Sequence, residues 1–411
     1  MAGCRTNDLT LQLVLQFLRE SEYGTSFDAL QNESGVAFDD KKVVKTGQLQ
    51  AIVDEHNERN RERCEIGASL DELFERGDGS YVKNILWSLD SLDPGSSMLA
   101  VRLTKQGVLT VGTNRGDVLL GEIPLPLPQE KPYIIPFHVS NHRGGVLGLD
   151  FHPTKKNLLL TCGMDRSVCL VDASPDGTEE LLQKFTDHQK YVVRVCWAPS
   201  GKYFVSASYD KTVLIYRGDE TCSSFTQIDQ QFFKGAIEGL TFFKTKDIFI
   251  VSVRDDCHLH LYELTEGGSG TTKLDSLNMN ALGDDFVSFT ALDVSTNPTD
   301  KYILVSTDRN RLVLFDVESK RQLANFYGTK NDEFSQPRHC WHRNSQYIYA
   351  TSQDKIVCVW EVSTQRIVAR LEGHQARVRD LHYCADLNAL VSCSFDGTVR
   401  VWSTQAGTSP E

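Results

Sequence analysis

The chain has 411 residues, a formal net charge of −12 at pH 7, and a composition that is 40% hydrophobic and 24% charged. These proportions suit a globular protein with one large core and an appendage. The acidic balance argues against nucleic-acid binding as the main function, because phosphate neutralisation requires clustered lysines and arginines. We therefore expect no direct nucleic-acid partner.

The cellular location is predicted from apolar runs and cysteines. No run of about 18 apolar residues is present, and the first residues lack a charged segment followed by an apolar one, so we expect no membrane contact and no secretion. The 11 cysteines are odd in number and include no C-x-x-C pair. Such thiols behave as small buried hydrophobes in a reducing compartment. We predict a cytoplasmic protein, with the nucleus as a second compartment.

Residues 7–36 predict a helical hairpin. Apolar residues cover two stripes of the first helix, and a second helix follows Tyr23 and ends near Glu33. This pattern resembles the LisH motif, a hairpin that in its family dimerises as a four-helix assembly. The resemblance implies dimerisation through the matching apolar positions Leu13, Phe17, Leu18, Tyr23 and Leu30. The alternative is a hairpin that folds back onto the rest of the chain.

Residues 37–80 are predicted to be a helical linker and brace. A third helix is expected over residues 39–63, with an apolar spacing too irregular for a coiled coil. Ser69 and Glu72 then have the spacing of a capping box, which predicts a short helix that stops at Gly77.

A repeat fills most of the remaining sequence. Its last copy, Gly373–Trp402, contains two alternating strands joined by Asp396-Gly397, a strong signal for a hairpin. Upstream of Asp396 the turn aspartate recurs at intervals of 42, 46, 52, 46 and 45 residues, and a weaker copy lies 50 residues further up. A strand-rich repeat of roughly 40–50 residues predicts a propeller of four-stranded blades around a central channel.

The last copy resembles the WD-repeat family in its Gly-His pair, serine, aspartate and tryptophan. This resemblance implies an all-β, seven-bladed WD-repeat propeller over residues 81–404, preceded by a small all-α module. It also implies buried hydrogen-bond chains, formed by His374, Ser392, Asp396 and Trp402 in the last copy and by His188, Ser206 and Asp210 in the third. A Ser/His/Asp set also occurs in hydrolases, but a buried chain that ends in an indole offers no route for a substrate.

The ring is predicted to close with a strand from the other end of the repeat region. Residues 82–88 alternate as a strand ahead of the first copy, whereas the last copy ends at Trp402 without an outer strand. We expect residues 82–88 to supply that strand and so remove an exposed sheet edge. Residues 405–411 are predicted to be a disordered tail.

Two other patterns have the composition of ligand sites. The Gly-rich stretch 266–273 lacks a following helix, so we interpret it as a flexible loop between blades and not as a phosphate loop. The possible metal clusters are Cys257-His258 with His260, and His339-Cys340 with His342. Neighbouring strand residues face opposite sides, so each cluster should be split. We predict no metal, no cofactor and no catalytic residues.

The binding surface is predicted from the WD-repeat resemblance. In that family partners usually bind the face that carries the loops before the first strand and between the second and third strands. The positions implied to project there form an aromatic and arginine set typical of interfaces: Met164, Tyr191, Tyr209, Arg377, Arg379 and Phe395. The fourth blade contributes Glu238 and Asp255 instead. We expect a partner segment with an apolar anchor and an acidic or phosphorylated group, unless these aromatics merely cap the blades.

These observations predict a non-enzymatic scaffold that dimerises through its helices and binds a protein or peptide partner as a subunit of a multiprotein complex. Two alternatives are a monomeric protein-binding module and a substrate-recruiting subunit of a ubiquitin ligase complex. The strand ends lack the arginine that follows the WD dipeptide in receptors for cullin-four ligases, which disfavours the second. A hydrolase that uses the channel is the rival enzyme hypothesis.

Overall fold

Seven antiparallel sheets of four strands form a closed ring. The computed structural model describes residues 8–20, 23–39, 49, 70–90, 92–132, 134, 137–174, 180–265, 270–280, 283–331 and 335–405. The chain divides into two compact units, 1–69 and 70–411. The second unit contains all seven sheets, which confirms the predicted number of blades.

The first unit contains two described helices, α1 (Asp8–Glu20) and α2 (Gly24–Ser34). After α2 the chain reverses at Gly35, whose φ of +66° favours glycine, and it returns to α1. There Gln12 donates from Nε2 to the carbonyl of Ala37 at 2.8 Å and accepts the amide N–H of Asp39 at 2.8 Å. The predicted third helix and the tail beyond residue 405 lie outside the described residues, except for the isolated helical residue 49.

The second unit begins earlier than predicted. The short helix α3 (Leu70–Leu73) and the following Phe74 pack in one apolar cluster with residues of the fifth and sixth blades, and the Phe74 and Tyr302 rings lie 4.5 Å apart. The Gly77 amide donates to Glu361 at 2.7 Å. Residues 70–80 therefore belong to the propeller unit and not to a helical linker, because Leu70 and Phe74 are buried in its core.

The first four blades follow one another in chain order, and within each blade the strands run in sequence order from the channel outward. The closing strand β1 is Asn84–Leu89. Blade 1 contains β2 (Met98–Leu103), β3 (Val108–Thr113), β4 (Asp117–Glu122) and β5 (Phe137–Ser140). Blade 2 contains β6 (Val146–Phe151), β7 (Leu158–Gly163), β8 (Val168–Asp172) and β9 (Glu180–Phe185). Blade 3 contains β10 (Val192–Trp197), β11 (Tyr203–Ser208), β12 (Thr212–Gly218) and β13 (Phe225–Phe232). Blade 4 contains β14 (Ile237–Phe242), β15 (Ile248–Val253), β16 (His258–Leu264) and β17 (Thr271–Asn278).

The last three blades complete the ring. Blade 5 contains β18 (Ala291–Thr296), β19 (Tyr302–Thr307), β20 (Arg311–Asp316) and β21 (Gln322–Tyr327). Blade 6 contains β22 (His339–Trp341), β23 (Tyr347–Thr351), β24 (Val357–Glu361) and β25 (Arg366–Leu371). Blade 7 contains β26 (Val378–Cys384), β27 (Ala389–Ser394), β28 (Val399–Ser403) and, outermost, β1.

The ring closes as the sequence predicts. β1 pairs antiparallel with β28, and this register places Ile85 opposite Trp402 and Trp87 opposite Val401. The Trp87 indole N–H donates to the carbonyl of Pro128 at 3.0 Å, so the proline-rich connector of blade 1 also packs against the closing strand. The inner strands β2 and β26 are neighbours, which completes the circle of blades around the channel.

A β-bulge recurs near the start of the inner strand in every blade except the sixth. In blade 4 the register shifts between Ile237 and Gly239, and in blade 7 between Val378 and Asp380. A bulge inserts one residue and redirects its side chain. The inserted residues include Glu238 and Arg379. These two charged residues, both predicted to project from the face, therefore occupy the same structural position in their blades.

The Gly-rich stretch lies inside blade 4. The structure describes its residues 270–273, of which Thr271 begins the outer strand β17. The segment therefore connects the third and fourth strands of one blade, and the interpretation as a loop between blades is wrong. Sequence alone failed here because the polar outer strand Thr271–Asn278, half-exposed along most of its length, lacks the apolar alternation of the inner strands.

Candidate protein-binding face

The hydrogen-bond chains lie inside three blades. In blade 7 His374 contacts Asp396 through Nδ1 at 3.1 Å and Ser392 through Nε2 at 2.9 Å, and the Trp402 indole donates to Ser392 Oγ at 2.8 Å. This is the order of contacts in a nucleophilic triad. However, Ser392 is 0% exposed and its oxygen already accepts the indole N–H. The set therefore joins strands and cannot reach a substrate.

Blades 2 and 3 contain the same arrangement with a different end. His188 contacts Asp210 at 2.9 Å and Ser206 at 2.8 Å. In blade 2, His142 contacts Asp165 at 2.9 Å and Thr161 at 2.8 Å. The aromatic at the end of the chain in blade 3 is Tyr216, whose hydroxyl donates to Asp187 at 3.0 Å.

The upper face of the propeller carries the turns between the second and third strands, where Met164, Tyr209 and Phe395 lie. Met164 is 52% exposed, and Tyr191 and Phe395 are each 43% exposed. The rings of Tyr191 and Tyr209 lie 5.1 Å apart. The structure thus places exposed aromatic side chains on this face in blades 3 and 7, which sit on opposite sides of the channel mouth.

Arg377, Arg379 and Phe395 meet in one pocket, which we call the Phe395 pocket. Its volume is about 140 Å³, and its other wall comes from the loop before blade 6 and the turn within it, including Gln336 and Gln353. Arg379 is half-buried, and its Nη1 has no hydrogen-bond partner. Burial lowers the pKa of the Arg379 guanidinium, and the neighbouring charge of Arg194 acts in the same direction. The pocket is therefore a place where an anionic group would be stabilised.

Tyr209 is more enclosed than predicted. Its hydroxyl donates to Glu238 at 2.8 Å, and the Arg254 guanidinium lies 5.6 Å from its ring centroid and pairs with the same carboxylate. Burial raises the pKa of Tyr209 to about 12, and the charge of Glu238 adds to this shift. The expectation that Glu238 projects from the face is wrong, because the bulge turns it under Tyr209, where it is 2% exposed.

The channel beneath this face is lined by paired charges. Asp293 of blade 5 contacts Arg194 of blade 3 at 3.0 Å and Arg338 of blade 6 at 3.4 Å. Asp380 of blade 7 contacts Arg102 of blade 1 at 2.9 Å. The channel encloses a cavity of about 610 Å³. These ion pairs link blades across and around the channel, and removing one partner of such a pair leaves a costly buried charge.

The two possible metal clusters have different arrangements in the structure. In the second, His339 contacts Ser295 and Ser306, each at 2.7 Å, whereas His342 contacts Asn344. The two histidines therefore have different hydrogen-bond partners. In the first, the prediction that the cluster is split is wrong. Potential ligand atoms of Asp256, Cys257 and His258 lie within 4.8 Å of one another, because Asp256 and Cys257 precede the strand and are not bound by its alternation.

Predicted dimerisation residues lie on the helical hairpin with unequal exposure. Leu13 is buried within the chain, Phe17, Leu18 and Leu30 are half-buried, and Tyr23 is 57% exposed. Leu15, at 0% exposure, is the most buried residue of α1. No helix in the described ranges is long and apolar enough to cross a membrane, and the nine described cysteines are free thiols.

The fold defines the class of the protein: it is a seven-bladed β-propeller. Four segments, residues 135–172, 179–217, 337–361 and 365–403, match the family model described as WD domain, G-beta repeat. Most of them combine the outer strand of one blade with inner strands of the next. The segments fall on blades 2, 3, 6 and 7, which include every blade with a complete His-Asp contact from the preceding loop.

Curated relatives are WD-repeat proteins and other large chains. The chain is 23% identical to pre-mRNA-processing factor 19 of Oryza sativa subsp. japonica over 65% of its length and 39% of the relative. It is 23% identical to a WD repeat-containing protein 26 homolog of Arabidopsis thaliana over 64% of its length and 49% of that protein. For apoptotic protease-activating factor 1 of Rattus norvegicus the identity is 24%, over 54% of this chain and 16% of the relative. The chain thus spans less than half of each of these relatives.

Proposed function

We propose that the protein is a non-enzymatic scaffold that dimerises through its helical hairpin and recruits a protein partner on the upper face of the propeller. The names of the relatives refer to different processes, pre-mRNA processing and the activation of apoptotic proteases. A shared fold with different processes favours a recruiting surface over one chemistry. We also propose a cytoplasmic and nuclear location for such a subunit.

The observation that carries the binding proposal is the Phe395 pocket. Phe395 offers an exposed aromatic surface, and Arg377 and Arg379 place two guanidinium groups beside it. Arginine and aromatic residues dominate the energy of protein interfaces. The partner is therefore a peptide segment with a bulky apolar residue for Phe395 and an acidic or phosphorylated residue for the arginines. Tyr191 and Met164 are exposed on the same upper face, where Tyr209 donates its hydroxyl to Glu238.

A peptide library displayed on phage tests the binding proposal with the full chain as bait. We expect enriched peptides that pair a bulky apolar residue with Asp or Glu, because each group has a receptor in the pocket. Phe395→Ala and Arg377→Glu should each lower the affinity of an enriched peptide by more than about 10-fold, the loss expected for a hot spot. Phe232→Ala is the matched control, since Phe232 is 74% exposed on an outer strand. No enrichment, or equal binding by all variants, would contradict the proposal.

The dimer proposal rests on the exposed apolar surface of the hairpin. Tyr23 remains 57% exposed and lies between α1 and α2, where a second hairpin could cover it. Light scattering during size-exclusion chromatography should give twice the chain mass for the full chain and the monomer mass for Tyr23→Glu. Tyr327→Glu changes a tyrosine that is 60% exposed in blade 5 and should leave the mass unchanged. A monomeric full chain would favour the alternative of a single binding module.

A further inference from the structure

The turn between the second and third strands of blade 4 differs from its counterparts. Ser252 and Leu259, seven residues apart, are the last ladder pair before this turn, whereas the corresponding pair in blade 3, Ala207 and Val213, is six residues apart. This turn is therefore one residue longer. Asp255 adopts a left-handed φ of +57° to make it, and the side chains of the next three residues are drawn together.

Three different types of ligand atom converge in this turn. Cys257 Sγ lies 3.2 Å from His258 Nδ1, and Asp256 Oδ1 lies 3.4 Å from the same nitrogen. A tetrahedral zinc ion with bonds of about 2.0 to 2.3 Å holds its ligand atoms roughly 3.3 to 3.6 Å apart. The separation of Asp256 and His258 falls within that spacing, the separation of Cys257 and His258 lies just below it, and all three ligand atoms lie within 4.8 Å of one another.

The contacts do not form a catalytic relay. In a Cys-His-Asp relay the thiol and the carboxylate contact opposite nitrogens of the imidazole. Here both contact Nδ1, so the ring cannot pass a proton from one to the other. Instead, Asp256, Cys257 and His258 bring three possible ligand atoms together, and a cation between them can accept a lone pair from each.

The surroundings of the turn hold one ligand in place and favour a cation. Asp256 is oriented by the backbone N–H of His258 at 2.9 Å and by His260 Nε2 at 2.9 Å, and such second contacts fix a ligating carboxylate. The carboxylates of Asp284 and Asp285 add negative charge near Cys257. A negative potential attracts a divalent cation.

We propose that Asp256, Cys257 and His258 form a zinc site in blade 4, with a water molecule or a group from a partner as the fourth ligand. Cys257 binds as the thiolate and releases its proton to solvent when the ion enters. The side chains of Asp256 and His258 are 22% and 28% exposed, so the ion enters past them while Cys257 is buried below. Mixed thiolate, imidazole and carboxylate donors suit Zn²⁺ better than Mg²⁺ or Ca²⁺.

Zinc binding by the intact chain tests the site. After chelator treatment and dialysis against Zn²⁺, elemental analysis should find one ion per chain, and isothermal titration should give a single site. Cys257→Ser and His258→Gln should each weaken binding by more than about 10-fold, since even second contacts of a metal cost that much. Cys222→Ser is the control, because it removes a half-buried thiol away from the site, whose described polar contact is a carbonyl 3.7 Å away.

Cobalt provides a readout of the thiolate itself. Replacing zinc with Co²⁺ should produce a thiolate-to-cobalt charge-transfer absorption that Cys222→Ser keeps and Cys257→Ser loses. His258→Gln retains the backbone N–H that orients Asp256, so it tests the site even where the cysteine variant fails to fold. Absence of stoichiometric binding, or unchanged binding in both site variants, would overturn the proposal.

Discussion

Blades 7 and 4 have the same four-stranded topology and the same bulge but differ in their buried polar groups. In blade 7 His374 bridges Asp396 and Ser392, and Trp402 completes the chain. In blade 4 no histidine arrives from the preceding loop, and Asp256 contacts His260 of its own blade instead. The Ser252 hydroxyl and the second nitrogen of His260 are buried without a partner.

The difference shows that a blade can form without a complete polar chain. Phe249 and Tyr262 stack in blade 4 with centroids 5.4 Å apart, and both are buried in a cluster shared with blade 3. Apolar packing between blades therefore maintains the sheet where the hydrogen bonds are missing. Blade 4, which lacks the complete polar chain, also has a longer turn between its second and third strands.

The largest expected effect comes from the aromatic end of the complete chain. Trp402 is 1% exposed and packs between blades 6 and 7, so Trp402→Ala should lower the free energy of unfolding by about 3 to 5 kcal/mol. Chemical denaturation followed by circular dichroism measures the change. A loss below about 1 kcal/mol would mean that blade 7 is held by β1 and not by its core.

Two buried serines, one in each blade, test the difference between the blades. Ser392→Ala removes the partner of both His374 and Trp402, and leaving buried groups unpaired should cost about 1 to 3 kcal/mol. Ser252→Ala removes a hydroxyl that has no partner and should be neutral or slightly stabilising. Thermal unfolding of the two variants tests the comparison, which fails if both serines cost the same.

The smallest effect is the pH dependence of Asp396. Burial alone would raise the pKa of this carboxyl, but hydrogen bonds from His374, Thr398 and the Gln375 amide hold it below the ordinary 3.8. A depressed pKa gives stability that is present above pH 3.8 and is lost as the pH falls further. Asp396→Asn should therefore cost about 1 kcal/mol at pH 7. The gap to the unmodified protein should close between pH 4 and pH 2, and a constant gap would exclude the ionised carboxylate as its source.

Sequence predicted the ring well because its signals are local and repeated. Each Asp turn is flanked by alternating strands, and the strand at 84–89 had only one unfilled position, beside β28. The hydrogen-bond chain of blade 7 followed from residue identities at fixed spacing. The pairing of β1 with β28 is the one long-range contact among these, and it followed because the last copy of the repeat ends without an outer strand.

The errors arose where backbone geometry departs from regular alternation. The bulge that hides Glu238 beneath Tyr209 and the longer turn that gathers Cys257 and His258 are each an insertion of one residue, which a period of two cannot reveal. Leu70 and Phe74 were assigned to the helical module because their helical spacing does not say which core receives them. Their contacts with Tyr302 are separated by more than 200 residues of chain.

The pairing of β1 with β28 has a consequence for how the protein is made. These strands are roughly 300 residues apart, and a ribosome adding 5–20 residues per second needs roughly 15 to 60 s to cover that distance. For this time the nascent chain holds an unmatched strand whose Leu86 and Trp87 are destined for the interior. Six blades can form before the seventh is finished. Until then β1 is unpaired and exposed to other chains, which is the kind of surface that chaperones cover.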